Sequence, residues 1–147
     1  MKKREFEQIG LEFIRNNRLI EYGETILIGC SGGADSICLT TFLSRVSDLF
    51  DAKIHIVHIN HNLRDGSKND EDFVNIFAQQ KSLNLEVLSV KIGDQKGTLE
   101  EKARIIRHAA FQRIAKKVGA SKIALGHTSS DRAETVIHNL ARGSGLY

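Results

Sequence analysis

The sequence predicts an α/β fold in which a parallel β-sheet carries helices on both faces. Three observations lead there. Short runs rich in β-branched residues alternate with amphipathic stretches of helical length. Each run ends at Gly, Asn or Asp. The runs stand far enough apart for a helix to lie between them, which implies crossover connections and a sheet covered on two sides.

In chain order, a first helix is expected over about 3–19, then a strand over 25–30 that enters a Ser/Gly loop, and a helix to about 50. A second strand covers 53–59, with a loop over 60–66 and a helix over 67–81; the third strand is 85–90. Thr98 and Glu101 form a capping box that opens a long helix to about 118, its apolar stripe being Leu99, Ala103, Ile106, Ala110, Ile114 and Val118. A short fourth strand, 122–126, leads to a last helix that starts near Asp131 and stops at Arg142, with Gly143 at its C-cap.

The length of 147 residues suits one domain, with no repeat, low-complexity tract or linker. The chain is 41% hydrophobic and 27% charged, the balance of a soluble globular protein. No apolar run approaches the ~20 residues of a membrane span. The basic start, Met1-Lys2-Lys3-Arg4, is not followed by the apolar stretch of a signal peptide. Cys30 and Cys38 lie eight apart without a CxxC pairing, as reduced thiols of a cytoplasmic protein would, and both read as packing residues. A net charge of +3 fits a nucleotide or RNA partner and ordinary enzymes alike. Nothing in the pattern specifies an oligomeric state.

Parallel sheets bind ligands outside the carboxyl ends of their strands, so the loops after Cys30, Ile59, Val90 and Gly126 draw the eye. The first is Ser31-Gly32-Gly33-Ala34-Asp35-Ser36. Two glycines let backbone N–H groups approach an anion, two hydroxyls add donors, and the next helix aims its positive end at the same point. Asp35 beside phosphates calls for a cation between them, and Mg²⁺ is the natural bridge. The Walker pattern and the dinucleotide pattern are both absent, and the bland alternative is a glycine turn that only joins strand to helix.

This hexapeptide resembles the SGGxDS signature of the PP-loop, or N-type, ATP pyrophosphatases. Within that group, His58-Ile59-Asn60-His61-Asn62-Leu63-Arg64, Glu101-Lys102-Ala103-Arg104-Ile105-Ile106-Arg107, Gly126-His127-Thr128-Ser129-Ser130-Asp131-Arg132-Ala133-Glu134-Thr135 and Arg142-Gly143-Ser144-Gly145-Leu146 are similar to signatures of the tRNA(Ile)-lysidine synthetases. The resemblance runs over about 24–146. It implies the adenine nucleotide α-hydrolase-like fold, ATP as substrate with Mg²⁺, and cleavage to AMP and pyrophosphate. It also implies tRNA(Ile) and free lysine as partners: the wobble cytidine is adenylated on its carbonyl oxygen, and the lysine amine then displaces AMP.

On that reading Ser31, Gly32, Gly33, Ala34, Asp35 and Ser36 grip ATP, and His58 and Asn60 border the adenosine. Asp131 and Glu134, three apart at a helix start, hold Mg²⁺ with Asp35 or orient substrates; equally, acids favour a helix N-terminus. His127 donates to a phosphate or the base, or is a satisfied polar residue. At 100° per residue Arg107 falls beside the apolar stripe, placed to offset charge developing on the α-phosphate, while Arg104 turns toward solvent. Arg64, Arg104, Arg142 and Gly143 are candidate substrate or RNA contacts, against the plainer reading of solvated residues. Zinc at His55, His58 and His61 is rejected for want of a fourth ligand and a shared direction.

Lysidine synthetases continue well past the Arg-Gly-x-Gly segment, so residues 1–147 are expected to form a single PP-loop domain that lacks C-terminal tRNA-binding parts. The alternatives are a tRNA thiolation enzyme of the same superfamily, against which two unpaired cysteines argue, and a non-catalytic ATP-binding module.

Overall fold

The structure is a computed structural model that describes residues 3–61, 66–91, 93, 98–129 and 132–139. The elements are α1 (Lys3–Asn16), β1 (Thr25–Gly29), α2 (Ala34–Val46) extended by a 3-10 turn (Ser47–Phe50), β2 (Lys53–Asn60), α3 (Ser67–Gln80), β3 (Asn84–Ser89), α4 (Leu99–Val118), β4 (Lys122–Ser129) and β5 (Arg132–Asn139). They form one sheet of order β3-β2-β1-β4-β5. The first four strands are parallel, and β5 runs antiparallel to β4. No helix among the described residues is long and apolar enough to cross a membrane.

The central strand explains the layers. Ile26, Leu27 and Ile28 are all buried, because β1 is covered on both faces. Ile26 and Ile28 join Ile14, Leu39, Leu43 and Ile54 beneath α1 and α2. Leu27 joins Val57, Phe111, Ile114 and Leu125 beneath α4. A smaller cluster of Ile56, Val74, Phe77 and Cys30 lies beneath α3. Burying a side chain of this size contributes about 1.5–3 kcal/mol, so this short run outweighs any single surface ion pair.

α4 opens as expected: the Thr98 side chain accepts a hydrogen bond from the Glu101 N–H at 3.2 Å, and Gly119, at φ 70°, ends the helix. Of the expected stripe, Ala110 and Ile114 are buried with Phe111 and Ala115, Val118 packs against the same core and Ala103 and Ile106 are half-buried, while Leu99 is exposed. Arg107 already stands at the carboxyl edge of the sheet, so the turns before it have no strand to pack on.

Two further expectations are corrected. Cys38 is exposed, because α2 turns Ser36, Leu39, Thr40 and Leu43 inward and position 38 falls on the opposite side; Cys30 is buried. The chain after Asp131 forms β5 rather than a helix. Its Thr135-Val136-Ile137 run is β-branched, and pairing with β4 satisfies an edge that would otherwise be open.

The strands are tied together at the end of the sheet away from the loops. The Glu24 carboxylate accepts from Lys122 Nζ at 2.8 Å, from Ser121 Oγ at 3.0 Å and from the Glu21 N–H at 2.8 Å, while the Glu24 carbonyl accepts from the Lys53 N–H. The ion pair is little exposed, at 6% for Lys122 and 13% for Glu24. Burial acts to raise the Glu24 pKa, but the Glu21 amide, Lys122 and Ser121 outweigh it and hold the carboxyl below its ordinary value. A depressed carboxylate stabilises the fold above its unfolded value, near 4.5, and that contribution disappears as pH falls through the folded value. Glu24→Gln is therefore expected to cost about 3 kcal/mol at neutral pH, because it strands a buried ammonium, and to flatten the acid side of the stability profile. Urea midpoints between pH 3 and 7 check both; coincident curves for the two proteins would contradict them.

Candidate functional site

β1 and β4 are neighbours in the sheet, yet the helices that follow and precede them lie on opposite faces, so the chain parts at their carboxyl ends. A cavity of about 340 Å³ opens there. Its wall is Gly29 to Ser31 and Ser36 from β1 and its loop, Val57 to His61 from β2 and just beyond, Leu125 to His127 from β4, Ser67 and Asp70 from α3, and Arg107 and Phe111 from α4.

The Ser/Gly loop is built around Ser36. Its hydroxyl donates to the Gly33 carbonyl at 3.0 Å and accepts from the Ser31 N–H at 3.2 Å, and Ser31 Oγ lies 3.2 Å away. Ser31 Oγ in turn accepts from the Gly33 N–H at 3.3 Å. Ser36 is only 4% exposed, so its hydroxyl shapes the loop from within, while Ser31 and Ala34 lie at the surface. Gly32 sits at φ +89°, a conformation strained for any residue with a side chain. Gly33 starts α2 with no side-chain cap, and the N–H groups of a helix's first turn have no intrahelical partner. The result is a concave set of donors at a positive helix end.

Gly126 sets how close β4 comes to that loop. A Cβ there would lie 3.2 Å from the Asp35 carbonyl and the Ser36 Cα, so a side chain would make the start of α2 give by a few tenths of an ångström. Asp35 is exposed in the first turn of α2. His127 follows at the cavity rim and is exposed.

β2 supplies His58 and Asn60, 3% and 5% exposed. His58 Nδ1 is 2.8 Å from the Cys30 carbonyl, which can only accept, so Nδ1 carries the proton and ties β2 to the end of β1. Asn60 Nδ2 donates to Glu71 on α3 at 2.9 Å. Both side chains thus hold the cavity wall as well as face it.

Arg107 crosses from α4 into the cavity, while Arg104 is exposed. Arg107 Nε and His61 Nδ1 are buried and have no hydrogen-bond partner among the described residues. Burial, and then Arg104, holds the Arg107 pKa below its ordinary value. Burial, then Arg107 and His58, does the same for His61, which favours a neutral ring.

Glu134 lies on β5 with its backbone in register with His127, not on a helix face with Asp131. Asp131, Arg64, Arg142 and Gly143 lie outside the described residues. Among the cavity residues outside the predicted site set are His61, weighed in the sequence only as a metal ligand, Asp70 and Phe111. His61 falls one residue past the end of β2, and the two others sit on helices whose register toward the sheet decides what they reach.

A family model described as a PP-loop domain matches residues 3–147. The chain belongs to the PP-loop domain family. It is 42% identical over 131 residues to the tRNA(Ile)-lysidine synthase of Thermotoga maritima, a match covering 86% of this chain and 32% of that protein. To the tRNA(Ile)-lysidine synthase of Symbiobacterium thermophilum it is 36% identical over 138 residues, covering 91% and 29%. The PP-loop chain thus spans about a third of the length of the curated relatives it matches. Among solved structures, it resembles a U34-tRNA thiolase from Methanococcus maripaludis, with a TM-score of 0.66 and 15% identity over 76% of this chain and 40% of that one. It also resembles an NH3-dependent NAD synthetase from Campylobacter jejuni, with a TM-score of 0.61 and 15% identity over 88% and 57%. These two likenesses concern the fold alone.

Since Ser36 holds the PP-loop from within, Ser36→Ala leaves the Ser31 N–H and the Gly33 carbonyl without their partner. The expected loss is about 1–3 kcal/mol, read from the urea midpoint at constant m-value. No loss would mean that the loop keeps its shape without the hydroxyl.

Proposed function

We propose that this PP-loop domain binds ATP with its pyrophosphate half on residues 31–36 and activates the wobble cytidine of tRNA(Ile) for attack by free lysine. One observation carries the reading: Ser31 and Ser36 of the Ser/Gly loop and Arg107, whose Nε has no partner among the described residues, line a single cavity, in a chain 42% identical to a tRNA(Ile)-lysidine synthase. The ligation, the tRNA and lysine belong to this proposal, as does residence in the cytoplasm.

The chemistry follows from charge. The cytidine carbonyl oxygen attacks the α-phosphorus, and the bond from that phosphorus to the α,β-bridging oxygen breaks. Negative charge grows on the departing pyrophosphate, which the backbone donors of Gly32, Gly33 and Ala34, the Ser31 hydroxyl and the positive end of α2 stabilise. Ser36 keeps those donors aligned. Arg107 offsets charge on the α-phosphoryl oxygens. His58 and Asn60 border the adenosine, with His127 at the rim. The lysine amine then forms the carbon–nitrogen bond at the activated carbon, and AMP leaves with the former carbonyl oxygen.

Asp35 suits Mg²⁺ despite the lack, among the described residues, of three convergent His, Cys, Asp or Glu side chains. Mg²⁺ keeps waters and takes phosphate oxygens as ligands, so one or two carboxylates suffice. Asp35 and Glu134 are the proposed holders, and the ion would neutralise charge between the phosphates and Asp35. Asp131 is a proposed orienting group, and Arg64, Arg104, Arg142 and Gly143 are proposed contacts to substrate or RNA.

The direct test gives the protein Mg-ATP, labelled lysine and tRNA(Ile). Label is expected in the tRNA, with one AMP and one pyrophosphate formed per lysine; ATP consumption without label in the tRNA would overturn the ligation. Arg107→Gln is expected to slow pyrophosphate release by about 10²–10³-fold. Asp35→Asn is expected to raise the Mg²⁺ needed for half-maximal release while the fold is kept, and an unchanged requirement would place the metal elsewhere.

A further inference from the structure

The proposed reaction leaves two buried polar atoms in the cavity unexplained as a pair. Arg107 Nε–H can only donate, and His61 Nδ1 donates or accepts according to its tautomer. Neither has a partner among the described residues. An unsatisfied buried polar atom costs about 1–3 kcal/mol, so two in one cavity wall imply a group that arrives from outside. His58 is the instructive contrast: it stands on the same wall, and its Nδ1 is fixed by the Cys30 carbonyl. Among the described residues His61 Nδ1 has no such orienting carbonyl.

We propose that His61 is a ligand contact, its Nδ1 closing with the Arg107 Nε–H on one phosphate group, the α-phosphate of the bound nucleotide. The inference rests on the ATP reading above. Solvent does not reach either atom in the ligand-free arrangement, so contact takes a small turn of each side chain toward the cavity. A phosphate oxygen repays that turn with two charge-assisted hydrogen bonds.

The surroundings give the contact a proton signature. His58 on β2, Arg107 with Arg104 behind it on α4, Asp70 on α3 and His127 on β4 are the charged and titratable groups around His61, with the Cys30 thiol at the end of β1. Burial, and then Arg107 and His58, favour the neutral ring in the empty cavity. A phosphate anion between His61 and Arg107 reverses that preference and favours the imidazolium. Binding then takes up a proton near the ordinary histidine value of 6.5.

Calorimetry with AMP and with adenosine, near that pH in buffers of different ionisation enthalpy, separates the outcomes. AMP's own phosphate ionises near the same pH, so the proton taken up by His61 is read as a difference: the unaltered protein is expected to take up a fraction of a proton more on binding AMP than His61→Asn does, and adenosine is expected to show no such difference. His61→Asn is also expected to weaken AMP binding about tenfold and leave adenosine binding unchanged. NMR titration of the His61 ring in the unaltered protein asks the same question without a substitution: AMP should raise its apparent pKa. AMP bound with the same proton uptake in both proteins and an unmoved His61 pKa would overturn the contact, as would a His61→Asn protein that binds AMP with undiminished affinity. If neither AMP nor an ATP analogue binds the unaltered protein, the ATP reading itself falls and takes this contact with it.

Discussion

Backbone must meet backbone at the carboxyl edge of the sheet, and the rest of the site depends on that approach. Gly126 of β4 lies against the Asp35 carbonyl and the Ser36 Cα, where a Cβ would sit only 3.2 Å from both. The parallel ladder holds β1 and β4 side by side up to Gly29 and Leu125, and the Gly126 contact lays the next residue of β4 against the start of α2, beside the cavity. The Glu24 clamp holds the same strands at their other ends, so the sheet is tied below while it is spread above.

Within that frame the site is electrically asymmetric. The loop side offers backbone donors and a helix end, which carry partial charge at no cost in ionisation. The α4 side offers a half-buried guanidinium whose Nε is out of reach of solvent. Such an arrangement is costly without a ligand and suited to an anion long enough to touch both sides. A triphosphate cleaved in its middle has that shape, and Ser36, folded inward, keeps the loop side from collapsing onto itself.

Much of this was legible in the sequence where local chemistry decides. The β-branched run over 25–29, the two glycines after it and the Thr98–Glu101 cap each specify their own conformation, and the structure follows them. Arg107 and Arg104 separated correctly because three residues around a helix is a fixed rotation. What was not legible depended on partners distant in sequence. Leu99 looked like core, yet it lies on helix turns beyond the sheet; Cys38 looked like packing and faces out. The hold of the Ser36 hydroxyl on the Ser31 N–H and the Gly33 carbonyl could not be seen from spacing alone. The segment after Asp131 has helical signals, but the open edge of β4 competes for it and takes it as β5.

The central claim is directional: the loop takes the pyrophosphate end of ATP and Arg107 takes the α-phosphate, so that the bond between them is the one broken. A crystal structure with an ATP analogue whose α,β-bridge is a methylene tests this most directly. The account requires the β- and γ-phosphates on the amides of residues 32–36 and the α-phosphate beside Arg107. A γ-phosphate at Arg107, or a nucleotide seated outside the cavity, would contradict it.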